Sequence, residues 1–420
     1  MPLLPACEVS ENSPEYNHTT MEKSETVVAS RPAATQSTPT ETPELSHILS
    51  LAEMETLAMQ RMSPKAISYY TSATDDEITK KENTTVYRTI QLRPRVLVDC
   101  TECDLSTTVL GHKLGIPLFV SPAALATLAH PVGEAGIAGA CSASKTLQII
   151  SKNAALPLKE IVQAGPEAVF GWQLYVVKDL EETKRDLALL REVPQVKFIV
   201  LTVDAPFPGK REKEVLFKMG EVAAGGPPQT WGTESSLTWK KTLAWLQTQT
   251  DLPIVLKGIQ TYEDAYAASL FPAVKGIILS NHGGRALDTV APPIQVLLEI
   301  RKFCPQVLGR IDVLIDGGIQ RGTDVVKALA LGAKAVGIGR PPLFGLAVGG
   351  QQGVERTFQS KMPRSKNDVR ASGLISFVSI GRRNDHGNAV AGCKMRPSPG
   401  AKTCEFSYFE WKTLLHMDRS

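Results

Sequence analysis

The sequence predicts a TIM (β/α)8 barrel, with the barrel domain spanning residues 46–359. Eight short apolar runs are each followed by a polar or glycine-containing turn and a helix-like stretch. The runs do not alternate with polar residues, as is typical of parallel strands that are buried on both faces. Eight such units in roughly 230 residues fit a closed barrel better than an open doubly wound sheet, and the Gly-x-Gly-x-x-Gly turn of that sheet is absent. The runs are 116–120, 147–150, 169–174, 198–203, 253–256, 276–279, 311–315 and 335–338.

Two terminal segments lie outside this barrel. Residues 1–45 are rich in Ser, Thr, Pro and Glu and poor in large apolar residues, which predicts a disordered arm. The first helix should begin after Ser50, because Ser50 and Glu53 have the spacing of a capping box, and should end near Pro64. Residues 360–420 scatter Pro, Gly, Asn and charge without a helical period. They predict a divergent, weakly ordered tail.

Composition points to a small-molecule ligand. The chain has 420 residues, 43% of them hydrophobic, and a net charge of +3 from 46 basic and 43 acidic residues. This balance gives no reason to expect nucleic acid or an anionic membrane as a partner. We expect a cytoplasmic protein, since there is no secretory signal, no apolar run of about 20 residues and no Ser-Lys-Leu terminus. Seven scattered cysteines predict no metal site, and burial is the favoured interpretation of the pair Cys100 and Cys103.

The predicted strands end on polar residues or glycine. In barrels, chemistry takes place at the carboxyl ends of the strands, and many buried polar groups meeting there are costly unless a ligand or partner satisfies them. Pro122, Ala123, Ala124, Ser151, Gln173 and Thr202 are candidates to contact a flat heterocycle, and Lys257 could stabilise negative charge on it. Lys257 alone is also compatible with Schiff-base chemistry of the aldolase type.

Strands seven and eight are followed by a candidate phosphate site, comprising Asp316, Gly317, Gly318, Arg321, Gly339 and Arg340. Backbone N–H groups and a guanidinium at this place suit a dianion, although the glycines could also serve tight turns. Together with the heterocycle candidates, this set predicts a phosphorylated flavin.

The end of strand six carries Ser280, His282 and Arg285, three residues that combine a hydroxyl, an imidazole and a guanidinium. An imidazole can accept a substrate proton near neutral pH, and arginine can hold a carboxylate with two parallel hydrogen bonds. Taken alone, so short a motif is equally compatible with a polar turn that places a histidine against the core.

The ordered motifs resemble the FMN-dependent 2-hydroxy acid oxidase and dehydrogenase family, which includes glycolate oxidase, lactate oxidase and the flavin domain of flavocytochrome lactate dehydrogenase. The resemblance covers roughly residues 50–358. It is carried by the segments 69–72, 92–95, 129–134, 173–175, 201–206, 210–212, 256–258, 280–285, 316–324 and 339–341.

The resemblance implies an FMN cofactor and oxidation of an L-2-hydroxy acid to the 2-oxo acid. His282 would be the base and Asp204 would orient it, and electrons would pass from reduced flavin to O2 or another acceptor. Arg211 and Arg285 would bind the substrate carboxylate with help from Tyr69. Tyr175 would contact the substrate oxygen, and Lys257 would face the N1 and O2 edge of the flavin. Relatives of this kind also imply a homo-oligomer, specifically a tetramer.

Three departures from the family pattern bear on function. Ala286 follows Arg285 where the family usually has Gln, and Asn153 stands where a large aromatic residue often lines the substrate pocket. The last barrel helix is not recognisable beyond Gln359. The alternative prediction is therefore a flavin-binding barrel that lacks its last helix and has lost or impaired turnover.

Overall fold

The computed structural model describes residues 44–92, 104–223 and 234–361. In the described residues, three α-helices precede the barrel: α1 (Leu51–Arg61), α2 (Pro64–Thr71) and α3 (Ile78–Thr85). The predicted capping box is confirmed, because Ser50 Oγ accepts from the Glu53 N–H and Glu53 Oε2 accepts from the Ser50 N–H. Pro64 starts α2 behind the N-cap Ser63, so the boundary between the first two helices lies where it was predicted.

The predicted barrel is confirmed as eight parallel strands that close on themselves. An antiparallel hairpin of β1 (Thr107–Val109) and β2 (His112–Leu114) precedes them. The last strand pairs with the first, with Val336 in register with Leu118. The barrel strands are β3 (Leu118–Val120), β4 (Leu147–Ile150), β5 (Val169–Leu174), β6 (Val196–Thr202), β7 (Ile254–Ile259), β8 (Val274–Leu279), β9 (Asp312–Asp316) and β10 (Val336–Ile338).

Side chains from alternate positions fill the barrel interior below the mouth. Phe198 occupies the space left by Gly171, because a Cβ at Gly171 would lie 2.6 Å from the Phe198 ring. The hairpin plugs the amino-terminal end, where the Leu110 N–H donates to Asp312 Oδ2 at 2.6 Å. The inner core consists of Val109, Leu114, Phe119, Leu147, Ile149, Phe198, Val200, Val255, Ile278, Leu314 and Ala335. Apolar packing of the hairpin against these residues closes the interior at this end.

Helices cover the outside of the barrel and bury its outward-facing residues in a second, larger apolar core. They are α4 (Gly133–Ala143), α5 (Leu158–Ala164), α6 (Leu180–Arg191), α7 (Glu212–Ala223), α8 (Trp239–Gln249), α9 (Tyr262–Ala268), α10 (Pro293–Phe303), α11 (Val307–Arg310), α12 (Gly322–Ala330) and α13 (Arg340–Lys361). None of the described helices is long and apolar enough to cross a membrane.

The expectation that the barrel lacks its last helix is wrong. After a break at Gly349 and Gly350, α13 continues to residue 361 and packs against α1 and α4. Val354 and Phe358 are buried, and the Arg356 guanidinium donates to the backbone carbonyls of Ser46 and Ile48. The sequence does not show a helical period here, because glycines interrupt the helix and because polar side chains such as Arg356 and Thr357 are buried in it.

Several predictions concern residues outside the described part of the chain. These include the pair Cys100 and Cys103, the motif residues 93–95, most of the arm predicted at 1–45, and the tail from residue 362 onward. At the border of the arm, the described residues Leu45–His47 form a 3-10 helix.

Candidate active site

Polar side chains converge at the mouth of the barrel because they continue the inward-facing rows of the core. Residues two apart in a strand point to the same side, so the Lys257 side chain points into the barrel as the Val255 side chain does. The buried Lys257 Nζ lies 2.9 Å from Ser280 Oγ and 3.6 Å from Asp316 Oδ2. Ser121, Ser151, Gln173 and Thr202 lie buried at the ends of their own strands. The structure therefore brings the predicted strand-end residues together.

His282 and Asp204 are joined by a side-chain hydrogen bond across this mouth. His282 Nδ1 lies 3.0 Å from Asp204 Oδ1, and the Asp204 side chain is fully buried. Ser280 Oγ accepts from the His282 N–H at 3.1 Å and helps hold the loop in which His282 has φ +57°. With Nδ1 facing the carboxylate, Nε2 is the ring nitrogen that can exchange a proton with a ligand.

Asp204 is held in its charged form despite its burial. Burial raises the pKa of the Asp204 carboxyl, but the charge and hydrogen bond of His282, together with Lys257, bring the net pKa below its usual value. Gly258 makes this approach possible: it has φ +107°, and a Cβ there would lie 2.4 Å from Asp204 Cγ. A stable carboxylate beside an imidazole favours the imidazolium that forms when the ring takes up a proton.

Arg285 is fixed next to the histidine by the backbone of the α2 end. Its Nη1 donates to the carbonyls of Tyr69 and Ser72 at 2.6 and 3.0 Å, and its guanidinium lies 5.2 Å from the centre of the Tyr69 ring. Burial, followed by the charges of Arg211 and Arg340, lowers the pKa of Arg285 to about 9. The group thus stays protonated at neutral pH and can bind an anion.

Arg211 and the two predicted tyrosines complete this side of the mouth. The Arg211 guanidinium lies 6.0 Å from the centre of the Tyr69 ring, close to Arg285 on the same ring. Burial raises the pKa of Tyr69 against the opposing charges of Arg285 and Arg211. Burial, followed by the charge of Asp204, also raises the pKa of Tyr175. Both phenols are therefore hydrogen-bond donors at neutral pH.

The candidate phosphate site lies at the ends of β9 and β10. Gly317 and Gly318 have φ +96° and +76°, and a Cβ at Gly339 would meet nothing closer than 4.0 Å, which leaves open space at the start of α13. A helix N-terminus with free N–H groups suits a phosphate. Arg321 is exposed at the N-cap of α12. Arg340 donates to the carbonyls of Tyr70, Ser72 and Gly283, so it also ties α2 to the His282 loop.

Sequence reasoning missed the residues that hold this site together. Glu214 forms ion pairs with Arg211 and Arg285, and Asn83 pairs with Asn281 through two side-chain hydrogen bonds. Asp288 accepts from the N–H groups of Ile78 and Thr79 and so caps α3. The one signal in the sequence is their closeness to predicted site residues: Glu214 stands three residues after Arg211, and Asn281 directly precedes His282.

Comparison with known proteins identifies the family that this geometry belongs to. A family model described as FMN-dependent dehydrogenase matches residues 58–384. The chain belongs to the FMN-dependent dehydrogenase family. The match runs past residue 360, where the sequence pattern had suggested a divergent tail.

Individual relatives include both oxidases and a dehydrogenase. Glycolate oxidase from Spinacia oleracea is 39% identical over 356 residues, which cover 80% of this chain and 95% of the relative. L-lactate dehydrogenase (cytochrome) from Saccharomyces cerevisiae is 38% identical over 360 residues, which cover 80% of this chain and 60% of the relative. The chain thus spans about three fifths of that longer relative.

Solved structures share the fold at similar identity. A flavocytochrome b2 variant with benzoylformate has a TM-score of 0.72 and 39% identity, with 79% of this chain and 85% of that chain covered. A mandelate oxidase variant with (S)-mandelic acid has a TM-score of 0.69 and 30% identity, with 83% and 99% covered.

FMN is the cofactor of this family, and the residues at the mouth fit it. The open space beside Gly339 and the N-terminus of α13 suit the phosphate, whereas Gln173, Thr202 and Lys257 present donors and acceptors to a heterocycle. Gln173 Nε2 donates to Thr202 Oγ1 at 3.1 Å, so these two candidates lie side by side.

Proposed function

We propose that the protein oxidises an L-2-hydroxy acid to the corresponding 2-oxo acid with FMN as cofactor. One observation carries the proposal: the His282–Asp204 pair lies in the same mouth as Arg285, Arg211 and Tyr69. A base with its own counter-ion, next to two cations, suits a substrate that carries both a carboxylate and a proton to be removed.

Each residue has a distinct part in this reaction. Arg211 and Arg285 bind the substrate carboxylate and so fix the C2 atom, with the Tyr69 hydroxyl as a further donor. Tyr175 hydrogen-bonds the oxygen on C2. His282 Nε2 takes up one substrate proton, and Asp204 stabilises the resulting imidazolium. Bound FMN supplies the two-electron acceptor. Lys257, buried beside Ser280 and Asp316, is the cation proposed to stabilise negative charge on the ring.

The relatives support the substrate class but differ in electron acceptor. Flavocytochrome b2 variants have been solved with pyruvate and with benzoylformate, both of which are 2-oxo acids. The relatives include glycolate oxidases and L-lactate dehydrogenases (cytochrome). We propose O2 or another acceptor for the second half-reaction and a homo-oligomer, a tetramer by family resemblance, which sedimentation of the holoenzyme would test.

Two other functions were open from the sequence. A barrel with lost turnover was suggested by a missing last helix, and that reason is gone because α13 is present. An aldolase-type Lys257 remains testable by borohydride trapping with a keto acid. Its Nζ instead donates to Ser280 and lies 3.6 Å from Asp316, contacts that support a role in holding negative charge.

The test is an anaerobic screen of L-2-hydroxy acids of increasing size against the bound flavin. Substrate should bleach the flavin absorbance, and restoration by air would identify an oxidase, whereas persistent bleaching would identify a dehydrogenase. His282→Gln should keep the flavin and lose at least about a hundredfold in the rate of bleaching. A bleaching rate unchanged in this variant would exclude His282 as the base.

A further inference from the structure

Glu214 lies between the two arginines of the proposed carboxylate site. It is buried in the first turn of α7, and its Oε2 lies 2.5 Å from Arg211 Nη1 and 3.6 Å from Arg285 Nη2. The two arginines come from different loops, one after β6 and one after β8. One carboxylate oxygen therefore connects two guanidinium groups that are distant in sequence.

Electrostatics explains why such a bridge is needed. Arg211 and Arg285 carry like charges in a mouth with little solvent, and an uncompensated buried charge is costly. Burial and then Arg211 lower the pKa of Arg285, whereas Glu214 acts in the opposite direction. Without Glu214, repulsion would drive one of the two guanidinium groups away from the other.

The helix itself holds the carboxylate in place. Arg211 and Glu214 are three residues apart, and Glu214 and Lys218 are four apart, so all three lie on one face of the chain at the start of α7. Lys218 pairs with Glu214 Oε1, whereas Arg211 and Arg285 lie near Oε2. The orientation of Glu214 is thus determined by α7 and does not depend on a ligand.

We propose that Glu214 is a positioning residue for the substrate carboxylate, acting through Arg211 and Arg285. Its partners are Arg211, Arg285 and Lys218, and none of the residues proposed to take up the proton or to hold the cofactor ring is among them. It contacts Arg211 through Nη1 and lies near Arg285 Nη2, so it acts on one edge of each guanidinium group. The inference rests on the proposed function, because it needs a carboxylate ligand that binds to these arginines.

The test compares Glu214→Gln with Glu212→Gln, a matched change in the same turn. Glu212 pairs with Lys210 on the exposed side, so its variant should behave like the wild type. For Glu214→Gln we expect KM for the hydroxy acid and Kd for pyruvate, measured from flavin absorbance, to rise about tenfold, as a 1.4 kcal/mol loss would give. The kcat should change less than KM. Glu214→Asp keeps the charge and should restore part of the affinity.

The outcomes separate this inference from the proposed function. If the wild type neither bleaches with any hydroxy acid nor binds pyruvate, the proposed function fails. If the wild type turns over and Glu214→Gln has an unchanged or lower KM and Kd, only the role of Glu214 is overturned. Should the Gln variant not accumulate with flavin, Lys218→Gln takes its place: a raised KM with kcat retained supports the proposal, and an unchanged KM overturns it.

Discussion

Asn83 and Asn281 exchange two side-chain amide hydrogen bonds, each 2.8 Å long, and both residues are almost fully buried. The pair joins α3 to the residue that directly precedes His282. The backbone of Asn83 also lies against the turn of the candidate phosphate site. A Cβ added at Gly318, which belongs to that turn, would lie only 1.9 Å from the Asn83 carbonyl oxygen. One asparagine therefore supports both the candidate base and the candidate phosphate site.

The Asn83→Ala variant should be destabilised by about 1–3 kcal/mol, because it leaves the buried Asn281 amide without its partner. The midpoint of urea unfolding, measured with saturating FMN, reports the effect. Asn153→Ala is the control: Asn153 is exposed, and its change should stay within about 0.5 kcal/mol. Equal midpoints for both variants would contradict a structural role of the amide pair.

Gly258→Ala should lower both stability and turnover. The new Cβ would lie 2.4 Å from Asp204 Cγ on a backbone with φ +107°, so either the strand end or the Asp204 carboxylate must move. Gly220→Ala is the matched control, since Gly220 lies within α7 with nothing within 4 Å of its Cβ position. Alanine at that position should stabilise the helix by up to about 1 kcal/mol. Full turnover in Gly258→Ala would show that the close approach to Asp204 is dispensable.

Asp204→Asn should reduce kcat about tenfold or more, which corresponds to about 1.4 kcal/mol of lost stabilisation of the imidazolium. It should also change how the free energy of unfolding depends on pH in the acid range. The folded-state pKa of Asp204 lies below its ordinary value of 3.8, so its contribution is complete above that pH and is lost as the pH falls through the folded pKa. Thermal unfolding from neutral pH down to about pH 3 should show a shallower decline for the variant than for the wild type. Parallel curves would argue against this coupling.

Lys257→Met should make the flavin harder to reduce. Loss of a buried cation that faces the proposed ring site destabilises negative charge there, and about 1.4 kcal/mol corresponds to about 30 mV for a two-electron couple. Potentiometric titration of the holoenzyme measures the shift. Lys275→Met serves as the control, because Lys275 is exposed near the opposite end of the barrel. A potential equal in both variants would remove Lys257 from the flavin environment.

Strand periodicity and local motifs made much of this predictable. The cores of all eight strands were located because parallel strands buried on both faces leave uninterrupted apolar runs. Their bounds were less accurate: β6 and β8 begin two residues earlier than predicted, and β7 extends to Ile259. The last helix was missed, since its glycine break and buried Arg356 obscure the pattern that a surface helix normally shows.

The barrel class, the resemblance to the flavin family and most strand ends follow from local periodicity and short motifs. Three contacts do not: His282 Nδ1 faces Asp204, Glu214 links Arg211 to Arg285, and Asn83 pairs with Asn281. Each joins residues that are far apart along the chain. Asp204 and His282 are 78 residues apart, and Asn83 and Asn281 are 198 apart. Closure of the barrel brings them within hydrogen-bonding range, and no local pattern records it.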